Sequence, residues 1–155
     1  KSCFGLDVIF GLLNNSKMNL TGNWQGFYEY GSGYELPYFG QRVNIKASIT
    51  DLNGSFTGEI EEDGSVFSVK LEATIQGFIE DGFISFVKKY PKRPIIVEHS
   101  TTINYESGSL EIEHEGIVDA QNNSIYGNWF IIETITDEFG TFENSSQGIW
   151  LLTKL

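Results

Sequence analysis

From Trp24 onward, apolar and polar residues alternate in short runs separated by turn signals about every ten residues, the pattern of an all-β sandwich or barrel. Three successive segments show it most cleanly. Val43, Ile45, Ala47 and Ile49 are interleaved with Asn44, Lys46 and Ser48. Phe56, Gly58 and Ile60 are interleaved with Thr57 and Glu59. Phe67, Val69, Leu71, Ala73 and Ile75 are interleaved with Ser68, Lys70, Glu72 and Thr74. Successive strand side chains point to opposite faces, so each segment has one dry and one wet face. Asp51-Leu52-Asn53-Gly54, Glu62-Asp63-Gly64, Glu80-Asp81-Gly82 and Ser107-Gly108 supply the positive-φ residues that tight hairpins need. Strands over 23–30, 38–50, 55–62, 66–79, 82–90, 95–106, 109–118, 124–136 and 141–154 then predict a meandering antiparallel up-and-down β-barrel of eight or nine strands.

The first twenty residues have a different period. Phe4, Val8, Ile9, Leu12 and Leu13 fall at helical spacing and Asn14-Asn15-Ser16 supplies a stop, which predicts a short N-terminal helix. The chain is thus read as a helix and linker over 1–20, packing on a single barrel domain over 21–155. The apolar stretch 4–13 is too short, and too interrupted by Gly5, Asp7 and Gly11, to span a bilayer.

Charge narrows the function classes. Twenty-one acidic against ten basic residues give a formal charge of −11, which repels phosphate backbones and disfavours nucleic acid as a partner. The basic run Lys88, Lys89, Lys92 and Arg93 is broken by Tyr90, Pro91 and Pro94 and reads as a solvated loop. A lone cysteine, Cys3, cannot form an internal disulfide and leaves the compartment open. Nucleophile-elbow, phosphate-loop and metalloprotease motifs are absent, and no catalytic residue, metal ligand or cofactor is assigned. Among the carboxylates only Glu133, on the predicted face of Trp129, is considered for a functional role.

Two hairpins suggest where side chains converge. A two-residue Ser107-Gly108 loop pairs Tyr105 with Leu110, Ile103 with Ile112 and Thr101 with His114, placing His99 opposite Gly116. In that register both histidines face inward with Tyr105 as diagonal neighbours, which raises haem or metal binding as one alternative. The last hairpin sets Trp129 opposite Gly148 and Gly127 opposite Trp150, so each indole faces a residue without a side chain. Its other face carries Tyr126, Phe130, Ile132, Ile149 and Leu151 and needs a cover. The N-terminal helix is one cover, and a second copy of the barrel, giving a homo-oligomer, is the other.

Thr21-Gly22-Asn23-Trp24, Phe56-Thr57-Gly58-Glu59 and Trp150-Leu151-Leu152-Thr153 together resemble the avidin and streptavidin barrels and, more broadly, the calycins, which include the lipocalins. The resemblance covers about a fifth of the chain. It implies a barrel whose ligand enters one open end and is gripped by aromatics and a few polar groups. The family's hydroxyl-rich first hairpin is replaced here by Gln25-Gly26-Phe27-Tyr28-Glu29-Tyr30, so biotin is not carried over. By alternation Trp24, Tyr28 and Tyr30 share a face.

The functional expectation is a non-enzymatic barrel binding a small, partly apolar ligand among Trp24, Tyr28, Tyr30, His99, Tyr105, His114, Trp129 and Trp150. A protein-interaction module of inhibitor or immunity type, using the acidic surface and the aromatic loop Tyr34-Glu35-Leu36-Pro37-Tyr38-Phe39, is the main alternative. Exposed aromatics over a filled barrel would favour it.

Overall fold

The computed structural model describes residues 18–155. The predicted N-terminal helix, and its role as a cover, lie outside the described residues. Eight strands close an antiparallel barrel: β1 (Gly22–Tyr30), β2 (Arg42–Leu52), β3 (Ser55–Glu62), β4 (Ala73–Glu80), β5 (Phe83–Tyr90), β8 (Leu110–Asp119), β9 (Ser124–Asp137) and β10 (Gly140–Lys154). Around the barrel they follow chain order, with β1 closing onto β10. β6 (Arg93–Ile96) and β7 (Ile103–Glu106) form a separate two-stranded ribbon between β5 and β8. No helix of the described residues is long and apolar enough to cross a membrane.

Two of the four tight turns read from the sequence join their strands as hairpins, while Glu62-Asp63-Gly64 and Ser107-Gly108 do not. Asn53-Gly54 and Asp81-Gly82 both take positive φ, and each joins its strands as a two-residue loop, Leu52 opposite Ser55 and Glu80 opposite Phe83. In the last hairpin Trp129 pairs with Gly148 and Trp150 with Gly127, as the spacing predicts. A Cβ on Gly148 would stand 1.9 Å from the Glu29 carbonyl oxygen and 2.6 Å from the Trp129 ring. No side chain fits there.

Three predicted strands are corrected. Residues 95–106 are not one barrel strand but the β6–β7 hairpin, turning through 97–102 with His99 at positive φ. Pro94 lacks the N–H a central strand must donate, and the polar run Glu98–Thr102 has no apolar face to bury, so β8 pairs with β5 instead. The Ser107-Gly108 pairing register therefore does not form. Residues 66–72 alternate like a strand yet are irregular, and β4 starts only at Ala73. Their backbone is held by side chains: Val69 N–H donates to Glu62 Oε1 at 2.8 Å, and the Phe67 carbonyl accepts from Tyr30 Oη at 2.6 Å. In the same way, Tyr38 belongs to a turn that precedes β2.

An eight-stranded barrel is just wide enough to be filled by side chains or to hold one small ligand. This barrel divides lengthwise between the two. One half is packed by Leu20, Trp24, Phe56, Ile84, Ile125, Trp150 and Leu152, all buried, each contributing roughly 1.5–3 kcal/mol by leaving water. Asp51 caps that end by accepting from Leu20 N at 2.9 Å and Gly54 N at 2.8 Å. On the outer wall Phe83, Ile117 and Tyr126 are exposed neighbours in register across β5, β8 and β9, continuing to Leu151 on β10.

Candidate functional site

The other half of the barrel is open. The ends of β1 and β5, the start of β8 and the middles of β9 and β10 surround a cavity of about 470 Å³, bordered by the loop 31–41 and the β6–β7 ribbon. Inward parity decides which side chains reach it. On β1, Tyr28 and Tyr30 follow Trp24 and Gly26. On β5, Lys88 and Tyr90 follow Ile84 and Phe86. On β8, Leu110, Ile112 and His114 alternate with glutamates.

The walls are aromatic. Tyr28 meets Tyr30 and Trp129 edge to face at 5.4 and 6.4 Å between ring centroids, and Tyr34 meets Tyr30 and Trp129 at 4.8 and 6.0 Å. Trp129 is fixed by its Nε1–H, which donates to the Glu29 carbonyl at 3.2 Å. His114 sits deeper, stacked on Phe86 at 4.5 Å and beside Trp150 at 5.9 Å. Its Nδ1 lies 3.1 Å from the Ile112 carbonyl, so Nδ1 carries the proton and donates, leaving Nε2 bare. Burial, reinforced by the nearby Lys88 charge, lowers its pKa to about 3 against the opposing pull of the Ile112 bond, and the ring is neutral.

A charged pair lies inside the barrel. Lys88 Nζ is 3.2 Å from Glu62 Oε2, with the two side chains 3% and 2% exposed. The carboxylate accepts four hydrogen bonds, from Tyr28 Oη at 2.6 Å, Val69 N at 2.8 Å, Lys88 Nζ and Tyr90 Oη. Four donors match the four lone-pair sites of a carboxylate. The ammonium also donates to Tyr90 Oη at 2.8 Å and lies 4.7 and 4.6 Å from the ring centres of Tyr28 and Tyr90. Burial lowers the Lys88 pKa, and Glu62 opposes that shift. Burial also raises the Tyr28 and Tyr90 hydroxyls well above their usual range, Tyr30 likewise, and pushes Tyr34 up to about 12.

At the mouth, Arg93 of the β6–β7 ribbon pairs with Glu133 of β9. Beyond Phe130, β9 pairs only with β10, and on β10 the loop at Gly31 and Ser32 is bonded to Gln147, so the hairpin between Ile132 and Ser145 extends past the barrel beside the mouth.

Of the residues singled out in the sequence, Tyr28, Tyr30, His114 and Trp129 line one cavity, and Glu133 stands at its rim. Trp24 and Trp150 do not reach it. Trp24 is fully buried at the closed end, donating Nε1–H to the Leu20 carbonyl at 2.8 Å, and Trp150 packs in the same half. Tyr105 lies outside, where its hydroxyl accepts from Lys70 N at 2.8 Å. His99 is at the rim, 77% exposed and 3.9 Å from Glu35, whereas His114 is at the cavity floor. The inward histidine pair is not formed. Among the described residues no three His, Cys, Asp or Glu side chains cluster as a metal site would require.

Lys88 is the main residue missed, since it is not in a solvated loop but buried on β5. Its signal was strand parity: Ile84, Phe86, Lys88 and Tyr90 occupy alternate positions, as do Phe56, Gly58, Ile60 and Glu62. Comparison with family models, curated proteins and solved structures gave no match, so the functional reading rests on geometry.

Proposed function

We propose that this protein binds one small, partly apolar molecule in the open half of its barrel and does no chemistry on it. The observation that carries this reading is the division of the interior. A closed barrel with one half packed and the other enclosing about 470 Å³ behind aromatic walls has the size and lining of a small-molecule pocket. The resemblance to calycin barrels supports the same reading. A binding role, as against catalysis, is supported by the polar groups themselves. Glu62 has all four of its lone-pair sites occupied by protein donors, which leaves none for a substrate proton.

Titration with a neutral naphthalene probe, followed by its own fluorescence, tests this. Saturable one-to-one binding is expected in the parent protein, and loss of it in Ile131→Trp, which places an indole in the cavity. Binding that survives the blocked cavity, or no binding by the parent protein, would remove the proposal.

A second reading is favoured by the projecting tip of the β9–β10 hairpin. Phe139 there is 90% exposed, with Ile132 and Phe142 also exposed beside Asp137, Glu138 and Glu143. An acidic tip with aromatic anchors suits a basic protein partner. The loop first considered for that role divides, since Tyr38 turns in while Leu36 and Phe39 face solvent. A partner captured by the parent protein and lost in Phe139→Ser, with no cavity ligand, would support it.

A further inference from the structure

Resting on the reading of the cavity as a ligand site, we propose that its ligand is uncharged, with an aromatic or similarly apolar body and one hydrogen-bond acceptor that docks on Lys88 Nζ. An ammonium has three N–H donors in tetrahedral array. Two are used by Glu62 Oε2 and Tyr90 Oη, and among the described residues the third has no nitrogen or oxygen partner. Lys88 is one of the residues lining the cavity, beside the ring of Tyr28, so an acceptor on an occupant can take that donor. The buried hydroxyl of Tyr38, in the loop that borders the cavity, also has no partner among the described residues. Buried donors without partners are uncommon in folded proteins, and each is satisfied when an acceptor is supplied.

Net charge then selects the ligand. The charges of Lys88 and Glu62 sum to zero. Arg93 and Glu133 sum to zero at the mouth, and His114 is neutral. An anion on Lys88 would stand close to the Glu62 carboxylate, which is 3.2 Å from the same nitrogen. It would also approach through a rim carrying Glu35 and Glu98 on a protein of formal charge −11. A cation would find the rings of Tyr28 and Tyr90 already facing an internal cation at 4.7 and 4.6 Å. A neutral carbonyl, ether or hydroxyl oxygen satisfies the donor without adding charge to a buried site.

Four naphthalenes of one ring size separate these cases: naphthalene, 2-acetylnaphthalene, 2-naphthoate and 2-naphthylmethylammonium, each titrated by fluorescence at neutral pH. Acetylnaphthalene is expected to bind on the order of ten- to a hundredfold tighter than naphthalene, as a hydrogen bond to a charged donor implies. Both ions should bind more weakly than the ketone. Lys88→Met should abolish the preference for the ketone while retaining naphthalene. Should that variant fail to fold, Glu62→Gln/Lys88→Met, which removes both charges, serves the same purpose. An ion binding tightest, or a ketone no better than the hydrocarbon, overturns the inference and leaves the ligand site standing. A ketone preference that persists without Lys88 also overturns it. Failure of all four to bind overturns the site itself.

Discussion

Replacing His114 by glutamine isolates the acid sensitivity built into the cavity floor. The imidazole is buried, stacked on Phe86, faced by Trp150 and Lys88, and held in one tautomer by the Ile112 carbonyl. Folding lowers its pKa from 6.5 to about 3. Below pH 6.5 the unfolded chain takes up a proton that the folded chain refuses, so stability falls as pH falls through this window. Each unit of displacement is worth about 1.4 kcal/mol, so this one ring removes roughly 3 kcal/mol by pH 4 and about 4 kcal/mol by pH 3. That is comparable with the whole stability of many domains. Urea unfolding of parent and His114→Gln proteins at pH 7, 6, 5 and 4 provides the assay. Carboxylates common to both chains cancel in the difference. The two proteins should differ by a constant amount near neutrality and converge, or cross, as pH falls, because only the parent carries the histidine penalty. Curves that stay parallel down to pH 4, or a titration of the His114 imidazole itself centred near 6.5 by NMR, would refute the placement of His114.

Other perturbations follow from the same packing. Tyr28, Tyr30, Tyr34 and Tyr90 resist ionising when folded, so above pH 10 the unfolded chain loses protons that the folded chain keeps and stability falls. Four groups together remove about 4 kcal/mol in the first pH unit above 10. Lys88 acts in the opposite sense only below its ordinary 10.5, so alkaline unfolding monitored by tyrosinate absorbance should be steep and cooperative. Lys88→Met leaves Glu62 buried without its counter-charge and should lower unfolding free energy by roughly 3–5 kcal/mol, with Glu62→Gln/Lys88→Met recovering part of it in a double-mutant cycle. Gly148→Ala forces a methyl into the Glu29 carbonyl and the Trp129 ring and should cost about 2 kcal/mol or more in chemical denaturation.

The barrel was legible because period-two patterning and turn chemistry are local. Asn53-Gly54, Asp81-Gly82 and the paired Trp–Gly positions of the last hairpin each carry their own geometry. What failed was non-local. Residues 66–72 alternate like a strand, yet Glu62 and Tyr30 hold their backbone, and nothing in the segment itself records those partners. Pro94 and the polar run after it signalled that 95–106 could not lie between two strands, and with that strand went the histidine pair. The aromatic wall was half legible, because alternation places Tyr28 and Tyr30 on one face with Trp24 but does not say how far along the barrel axis packing ends. Lys88 was hidden by its neighbours, since Lys89, Lys92 and Arg93 make it look like part of a charged surface run. Only its parity with Ile84 and Phe86 puts it inside.

Native mass spectrometry of the protein purified from its own source tests the central claim most directly. The account predicts a second mass, one small uncharged molecule per chain, released on denaturation and lost from Ile131→Trp prepared in the same way. A bare chain mass under gentle conditions, together with an unaltered spectrum for the blocked variant and no uptake of any naphthalene probe, would contradict it.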